Sequence, residues 1–511
     1  MTSIFLAIRK VYILFIFNIH LMIIQALNLL LVSVSYSTFE AGINYFLSLG
    51  AATMMPVILF FLAIAFRVPW KKAARYAVTV GVGFVGIFAL LDFVLPLVGT
   101  MVHSLVVHYH ISMVGVDIGW PLTAAITWAV PFSFIIIPLG LIINILVLIP
   151  GFTKTFDADI WNYWHWAFTA VMAYFFTGNL ILAFIIAIIT ELFVLKLADW
   201  TVPLAQKFFN IPGASLPHTE TVDWAPLNLA FEKLIGRRLK FLQKYENIKP
   251  TTLSERLGYL GEPVMIGFYI GVVLGIIAQM SWGYILELGV YVAALMMLEG
   301  RMVGVLMEGL YPIAMGARDY ISKSERFKNR EIAIGIDGGA IGNANPPSIA
   351  IGYMLIPLYY VWAVVLSAAG LNKVLPLADV IILPCLVMWA VASSKSNIVK
   401  AILNAVLINA PFQILIMSAF AAPLTEAALS IHYALPAGIV LASSLDAGAH
   451  ILPFILVYPI YAAITHNYIA LVMTLILAII YFGSWAYARD MPKRVTDELV
   501  AEEAEAGTPA Q

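Results

Sequence analysis

Ionisable side chains in or beside long apolar stretches are the residues of this sequence best placed to do chemistry. Glu262, Asp337 and Asp446 are the main examples, and Asp117 and Glu191 are two more. A carboxylate within a membrane span is energetically costly, so it marks a functional site by default. Each could instead belong to a hydrogen-bonded structural pair or lie at the membrane surface. These residues alone leave both interpretations open.

The stretch GIDGGAIGNANPP, residues 335–347, combines Asp337, Asn343 and Asn345 with four glycines and two prolines. It directly precedes an apolar run long enough to cross a bilayer. Broken helices are tolerated in membranes only where protein or a water-filled cavity surrounds the exposed backbone. We therefore expect a re-entrant turn that lines a cavity, with these side chains binding ligand hydroxyl groups. The stretch SSLDAGAHILPF, residues 443–454, is similar in kind.

A second polar cluster lies in DADIWNYWHWAFT, residues 157–169. If this segment is helical, Asp159, Asn162 and His165 lie roughly on one face. The surrounding tryptophans are typical of an interfacial aromatic belt. They are also typical of a site for a polyhydroxylated ligand, because a few polar groups in an apolar cleft form the usual small-molecule site.

His218 is a candidate general base, since it lies beside Glu220 in IPGASLPHTETVDW, residues 211–224. It could equally be a histidine on a solvent-side loop. The single cysteine, Cys385, has apolar neighbours and is interpreted as a packing residue. The sequence contains no phosphate-binding GxxxxGK[ST] loop, no HExxH motif and no cysteine cluster, so no metal and no cofactor are predicted.

The composition indicates which elements must position these residues. The chain has 511 residues, of which 62% are hydrophobic and 11% charged, whereas soluble domains carry about 25% charged residues. Recurring apolar runs predict an all-α polytopic membrane protein with ten or eleven crossings and broken helices. Basic residues cluster at 67–75, 233–256 and 318–330, so we assign these loops to the cytoplasm.

The sequence divides into five predicted segments. Two of them share short motifs, GVDIGWP at 115–121 and GIDGGAIG at 335–342, which suggests internal duplication, although such glycine-rich similarity also arises by chance. Transporters are often built from inverted repeats. The segments are an N-terminal extension with an extra hydrophobic helix at 1–40, a first transmembrane repeat at 41–200, a cytoplasmic amphipathic and basic connector at 201–257, a second repeat with the last helices at 258–488, and a disordered acidic tail at 489–511.

Seven motifs together resemble one family. In order they are VGVDIGWP, DIWNYWHWAFTA, TGN, LPHTE, GEPVMIGFYIGVVLGI, GIDGGAIGN and SLDAG. Each is weak alone, but their order across roughly residues 41 to 460 is fairly specific. They resemble the galactitol-type IIC component of the bacterial phosphoenolpyruvate-dependent sugar phosphotransferase system.

The resemblance implies a permease subunit in the bacterial plasma membrane that binds a sugar or sugar alcohol. A separate IIB protein, supplied by IIA, donates a phosphoryl group from its cysteine during translocation. IIC itself carries no phosphoryl group, although His165 or His218 could act as general base. The related ascorbate-type component implies two inverted repeats, a homodimer and an elevator-like motion. This chain has Asn343 where the family tends to have histidine, which weakens the expectation of strict galactitol specificity.

The sequence leaves two other functions open. In an ion-coupled secondary transporter of a small polar solute, intramembrane carboxylates would bind H⁺ or Na⁺, and unmodified substrate would accumulate. In a membrane scaffold or receptor, loss of Asp337 would leave uptake unchanged.

Overall fold

The computed structural model describes residues 51–109, 113–159, 162–239, 241, 262–322, 331–435 and 439–506. The predicted extension at 1–40 lies outside these residues. The first half contains α1 (Ala51–Ala65), α2 (Trp70–Tyr109), α3 (Trp120–Trp128), α4 (Ser133–Leu148), α5 (Tyr163–Thr177), α6 (Leu180–Phe208), α7 (Thr219–Val222) and α8 (Ala225–Leu234). The second half contains α9 (Pro263–Ile277), α10 (Trp282–Ser322), α11 (Gly338–Ala344), α12 (Pro346–Ala368), α13 (Leu383–Leu386), α14 (Met388–Ser393), α15 (Ile398–Asn404), α16 (Ala410–Ser430), α17 (Ile451–Ile464), α18 (Tyr468–Tyr487) and α19 (Met491–Ala506).

Six helical stretches among the described residues are long and apolar enough to cross a membrane. They lie in α2, α6, α10, α12, the continuous run Ile398–Ser430 and α18. The pair α3 and α4 is bent by 93° and could form a seventh, broken span. These elements support the predicted polytopic helical membrane protein. The predicted ten or eleven crossings include the helix expected within 1–40, outside the described residues. Among the described residues, four shorter apolar helices are further candidates.

Six short strands, which the sequence analysis did not predict, correct the all-α prediction. They are β1 (Gly115–Asp117), β2 (Thr155–Asp157), β3 (Ala214–Ser215), β4 (Ala333–Gly335), β5 (Val374–Leu375) and β6 (Leu441–Ser443). They form two parallel sheets, in the orders β5-β1-β6 and β2-β4-β3. Each sheet takes its central strand from one half of the chain and both flanking strands from the other. Runs this short carry no detectable alternation of apolar and polar residues.

The helices α1, α2, α9 and α10 pack against one another and are called the four-helix group below. Small residues allow the close approach of its helices, as is usual in membranes. A Cβ atom added at Gly271 of α9 would lie 2.7 Å from the Cα of Gly289 in α10. The remaining helices pack around the two sheets.

The segment predicted as a connector, 201–257, divides in two. Residues 214–229 are buried among the other elements, whereas 242–257 lie outside the described residues. The hydrophobic core explains this difference: Leu216, Trp224 and Leu229 are fully buried side chains within the predicted connector.

The tail predicted as disordered, 489–511, is helical in α19 as far as Ala506. The acidic composition was the reason for that prediction, but the acidic side chains face cations from other elements. Met491 and Val495 are buried on the opposite side. The ion pairs between α19, or the residue before it, and the rest of the chain are Lys207–Glu503, Lys233–Asp490, Arg237–Glu498, Lys395–Glu498 and Lys395–Glu502.

Candidate functional site

A polar pocket of about 60 Å³ lies where the four-helix group meets the sheet-containing part of the molecule. One wall is apolar and is formed by Leu306 and Met307 of α10. The polar side chains of the pocket are His218, Glu220, Asp337, Asn343 and Asp446. They come from both halves of the chain, so the site forms only in the complete fold.

The 335–347 stretch forms a broken helix. Asp337 caps α11, because its Oδ1 accepts a hydrogen bond of 2.8 Å from the backbone N–H of Ala340. Gly342 allows α11 to pack closely, since a Cβ atom there would lie 2.5 Å from the Cα of Cys385. Asn345 then caps α12, whose first positions are prolines. Asn345 Oδ1 accepts from Ser348 N at 3.1 Å and from Ser348 Oγ at 2.9 Å.

His218 is the centre of a buried charge cluster. Its Nδ1 lies 2.5 Å from Asp159 Oδ2 and 3.5 Å from Asp337 Oδ1, and its Nε2 lies 3.1 Å from Glu220 Oε2. An ionised carboxylate can only accept hydrogen bonds, so both ring nitrogens of His218 act as donors. His218 lies in the connection between α6 and α8. Although burial lowers the pKa of His218, the charges of Asp337 and Asp159 raise it, and the pKa is well above the ordinary value. These carboxylates therefore favour the imidazolium form of His218.

Asn162 holds this cluster together and does not line the pocket. Its Nδ2 donates to Asp157 Oδ2 at 3.2 Å and to Pro217 O at 2.5 Å. Its Oδ1 accepts from the backbone N–H and the hydroxyl of Thr219, both at 2.8 Å. Asn162 thus joins the start of α5 to the segment that carries His218.

His165 lies between two other histidines, with ring centroids 5.1 Å from His218 and 4.9 Å from His450. Its Nδ1 is 3.4 Å from Asn162 Oδ1. Its buried Nε2 has no hydrogen-bond partner among the described residues, and it lies 3.8 Å from Asp446 Oδ1. If Nδ1 carries the proton, Nε2 is a free acceptor within reach of the charge cluster.

His450 is a functional candidate that the sequence analysis missed. Its Nε2 lies 2.7 Å from Asp446 Oδ1. The two residues are four positions apart in the stretch 443–454, so this spacing was the available signal. The pair places a second carboxylate–histidine unit beside His165.

Asp379, also missed, connects the halves of the pocket. Its Oδ1 accepts a 3.0 Å hydrogen bond from the backbone N–H of Trp120. Its Oδ2 accepts from Ser444 Oγ at 2.7 Å and from the N–H of Asp446 at 3.0 Å. Because Trp120 and Asp446 both line the pocket, one carboxylate positions two parts of its wall.

Asp117, one of the carboxylate candidates, has a structural role in the first sheet. Its two oxygens accept hydrogen bonds from four backbone N–H groups, at distances of 3.0 to 3.2 Å. The donors are Gly119, Leu377, Asp379 and Leu445. These contacts fit the interpretation of Asp117 as a hydrogen-bonded structural group, which the sequence left open.

The structure therefore separates the residues predicted for the site. It places His218, Asp337, Asn343 and Asp446 around one pocket. Asp159 and His165 lie behind this lining, next to His218 and Asp446 respectively. Asn345 instead caps a helix, and Asn162 forms hydrogen bonds behind the cluster. Glu262 is exposed at the start of α9. Glu191 lies in α6, where its Oε1 has no hydrogen-bond partner among the described residues.

Three sets of side chains in this region could geometrically hold a metal ion, because their ligand atoms lie within 4.8 Å of one another. They are His165–Asp446–His450, His165–His218–Glu220 and Asp159–His218–Asp337. A histidine must be deprotonated at the nitrogen that binds a metal. The sets with His218 fit poorly, since both of its nitrogens donate to carboxylates.

A multi-pass helical membrane protein whose broken helices enclose a buried polar pocket has the architecture of a solute permease. The chain belongs to the family described as PTS system sugar-specific permease component, whose pattern matches residues 45–438. A provisionally named permease IIC component of Escherichia coli (strain K12) is 33% identical over 386 residues, which cover 76% of this chain and 86% of that protein. The PTS system galactitol-specific EIIC components of Escherichia coli (strain K12) and of Escherichia coli O157:H7 are each 28% identical over 375 residues, which cover 72% of this chain and 80% of theirs. The family resemblance found from the seven motifs is confirmed.

Proposed function

We propose that this chain is the IIC permease for galactitol or a related sugar alcohol, which a partner IIB protein phosphorylates during uptake. The cluster of Asp159, His218, Glu220 and Asp337 beside one pocket carries this proposal. Carboxylates accept hydrogen bonds from ligand hydroxyl groups, and the amide of Asn343 can both donate and accept. The galactitol-specific names of two relatives support the choice of substrate class.

The geometry favours His165 over His218 as general base. The negative charges of its carboxylate partners favour the protonated form of His218, whereas His165 Nε2 has a free lone pair in the tautomer described above. In the proposed transfer, the substrate hydroxyl oxygen forms a bond to the phosphorus held by the IIB cysteine. The S–P bond breaks, the cysteine leaves as a thiolate, and the hydroxyl proton passes to His165. The charged sugar phosphate cannot recross the bilayer.

The pocket walls support an elevator-like movement. The pocket lies between walls that belong to two different parts of the molecule, so movement of one part against the other would open it to a sugar alcohol. Leu306 and Met307 belong to the four-helix group, whereas the charged wall belongs to the other elements. The two sheets also support two inverted repeats, because each half of the chain gives the central strand of one sheet and the two flanking strands of the other. The proposal also includes the homodimer that the family resemblance implies.

The proposal is tested with membranes that contain the chain, purified general phosphotransferase proteins, a cognate IIA and IIB pair and labelled galactitol. We expect phosphorylated galactitol or a related polyol phosphate to form only when phosphoenolpyruvate and all proteins are present. Accumulation of unmodified substrate that a protonophore abolishes would instead identify an ion-coupled transporter. No product with any polyol or sugar would contradict the proposal.

Asp337→Asn and Glu262→Gln form a matched pair for this assay. Asparagine is as good a helix cap as aspartate, so the first variant should keep α11 while it removes a charge from the pocket. We expect Asp337→Asn to reduce product formation by about 10²-fold, the lower range for loss of a charge-assisted contact in a transition state. Glu262→Gln, a change at an exposed residue outside the pocket, should leave the rate within twofold. If both variants changed the rate of product formation equally, the pocket would have no specific part in the mechanism.

A further inference from the structure

A second cleft lies outside the site described above, between α6 and α18. It has a volume of about 430 Å³ and opens at the surface. Lys196 and Trp200 line it from α6, and Phe482, Trp485 and Arg489 line it from α18 and the residues just after that helix. A cleft that combines cations with aromatic rings suits a ligand with an anionic end and an apolar end.

The charge in this cleft is positive. Asp199 also lines it, but its Oδ1 accepts from Thr153 Oγ1, Lys154 N and Thr155 Oγ1, each at 3.0 Å. Lys196 Nζ donates to Asp199 Oδ2 at 3.4 Å and to Phe152 O at 2.8 Å, which leaves one of its three N–H groups free.

Arg489 supplies the second cation of the cleft. It is exposed, and no ion pair or hydrogen bond to its guanidinium is found in the described part of the chain. Its backbone is fixed, because Arg489 O accepts a 3.0 Å hydrogen bond from Trp200 Nε1. The guanidinium presents several N–H donors in a fork that matches a phosphate group.

The cleft lies at the depth of a membrane surface. Asn179 caps α6 and Asn467 caps α18 at one end of this helix pair. Lys196 is 16 residues after the first residue of α6, which is about 24 Å along the helix at a rise of about 1.5 Å per residue. Trp485 is 17 residues into α18, or about 26 Å. The hydrocarbon core is about 30 Å thick, so the cleft lies near the opposite membrane surface, where tryptophans are enriched.

The face of α18 next to the cleft is apolar and exposed: Val472 is 53% exposed, Ile476 45% and Ile479 72%. In a membrane this face contacts acyl chains. We propose that the cleft binds an anionic phospholipid, with its phosphate on Lys196 and Arg489 and its acyl chains along Trp485 and the apolar face of α18.

The test is native mass spectrometry of the full chain in detergent, with phosphatidylglycerol and phosphatidylcholine added in turn. We expect phosphatidylglycerol to bind at least tenfold more tightly. Lys196→Gln and Arg489→Gln should each weaken its binding by about fivefold, and both together should remove the preference. The control Lys72→Gln changes an exposed cation of α2 and should change binding by less than twofold.

Two further arms separate the possible outcomes. Inorganic phosphate and glycerol phosphate are added as competitors at millimolar concentration. If they displace phosphatidylglycerol, the cleft is a site for soluble phosphate and the lipid proposal is overturned. Equal binding of the two phospholipids, or an equal effect of the Lys72 and Arg489 variants, also overturns it. Unchanged thermal unfolding of each variant shows that lost binding does not reflect lost folding.

Discussion

Asp379 acts on the pocket without lining it. Its carboxylate oxygens accept hydrogen bonds from Trp120 N, Ser444 Oγ and Asp446 N, so both oxygens are used as acceptors. An amide at this position would direct an NH₂ group at one of these donors. A buried donor without a partner costs about 1–3 kcal/mol. Asp379 is therefore a positioning residue for Trp120 and Asp446.

Asp379→Asn should weaken galactitol binding by roughly 5- to 150-fold, the ratio that corresponds to about 1–3 kcal/mol. The readout is the rise in thermal unfolding midpoint as galactitol is added to detergent-solubilised protein. This ligand-dependent rise separates positioning from stability, because a purely structural loss lowers the midpoint but not the affinity. Asp497→Asn, at an exposed position of α19, is the control. Unchanged affinity in Asp379→Asn would contradict the positioning role.

Gly342→Ala should destabilise the protein by about 1–3 kcal/mol, the usual cost of overpacking a core. The added Cβ atom would lie 2.5 Å from Cys385 Cα, which is backbone and cannot turn aside. The control is Gly483→Ala on α18, where an added Cβ atom would meet nothing within 4 Å among the described residues. Thermal unfolding measures both variants, and equal midpoints would show that α11 can move away from Cys385.

The elements that could be predicted from the sequence are those in which helix-disrupting residues stand beside a long apolar run. The 335–347 stretch was found because glycine and proline disrupt helices, and Asp337 does line the pocket. Glu262 lies exposed and outside the lining of this pocket, a position that its proximity to an apolar run does not reveal. Asp379 gave no signal, since the donors to its carboxylate are two backbone N–H groups and one hydroxyl that are all distant in the chain, the nearest being Ser444, 65 residues away. Strands of two or three residues are likewise defined by pairing and not by pattern.

The docking of α19 should depend on pH. The hydrogen bond from Lys233 lowers the pKa of Asp490, and although burial raises the pKa of Glu498, the hydrogen bond from Arg237 lowers it overall. A carboxylate with a lowered pKa in the docked state stabilises docking above its ordinary pKa, and this contribution is lost as the pH falls through the lowered value. We expect α19 to be released as the pH falls below about 4, the ordinary carboxyl range.

Fluorescence anisotropy of a dye on Ala501→Cys measures this release, because Cys385 is buried and does not react. Arg237→Gln should move the release to higher pH. Arg238→Gln changes the adjacent exposed cation and should not. Anisotropy that stays constant between pH 7 and pH 3 would show that apolar contacts alone hold the helix.

For the whole molecule, the decisive question is whether the two walls of the pocket separate during transport. A thiol-specific bifunctional reagent that joins Met307→Cys to Ala340→Cys would connect α10 to α11 across the pocket. We expect this cross-link to stop formation of sugar phosphate, and cleavage of a reducible linker to restore it. Each single-cysteine variant, treated with the same reagent, is the control. Full activity in the cross-linked protein would exclude relative movement of these walls.

The pairing of strands from both halves of the chain separates the synthesis of a strand from the synthesis of its partners. Strand β1 lies near residue 116, but its partners β5 and β6 are synthesised roughly 260 and 325 residues later. At about 5–20 residues per second, the ribosome finishes β5 roughly 13 to 50 s after β1. Throughout this interval the newly synthesised first half has an incomplete pocket, and the backbone groups of β1 lack their partners in β5 and β6. Neither half can therefore assemble the binding site on a truncated chain.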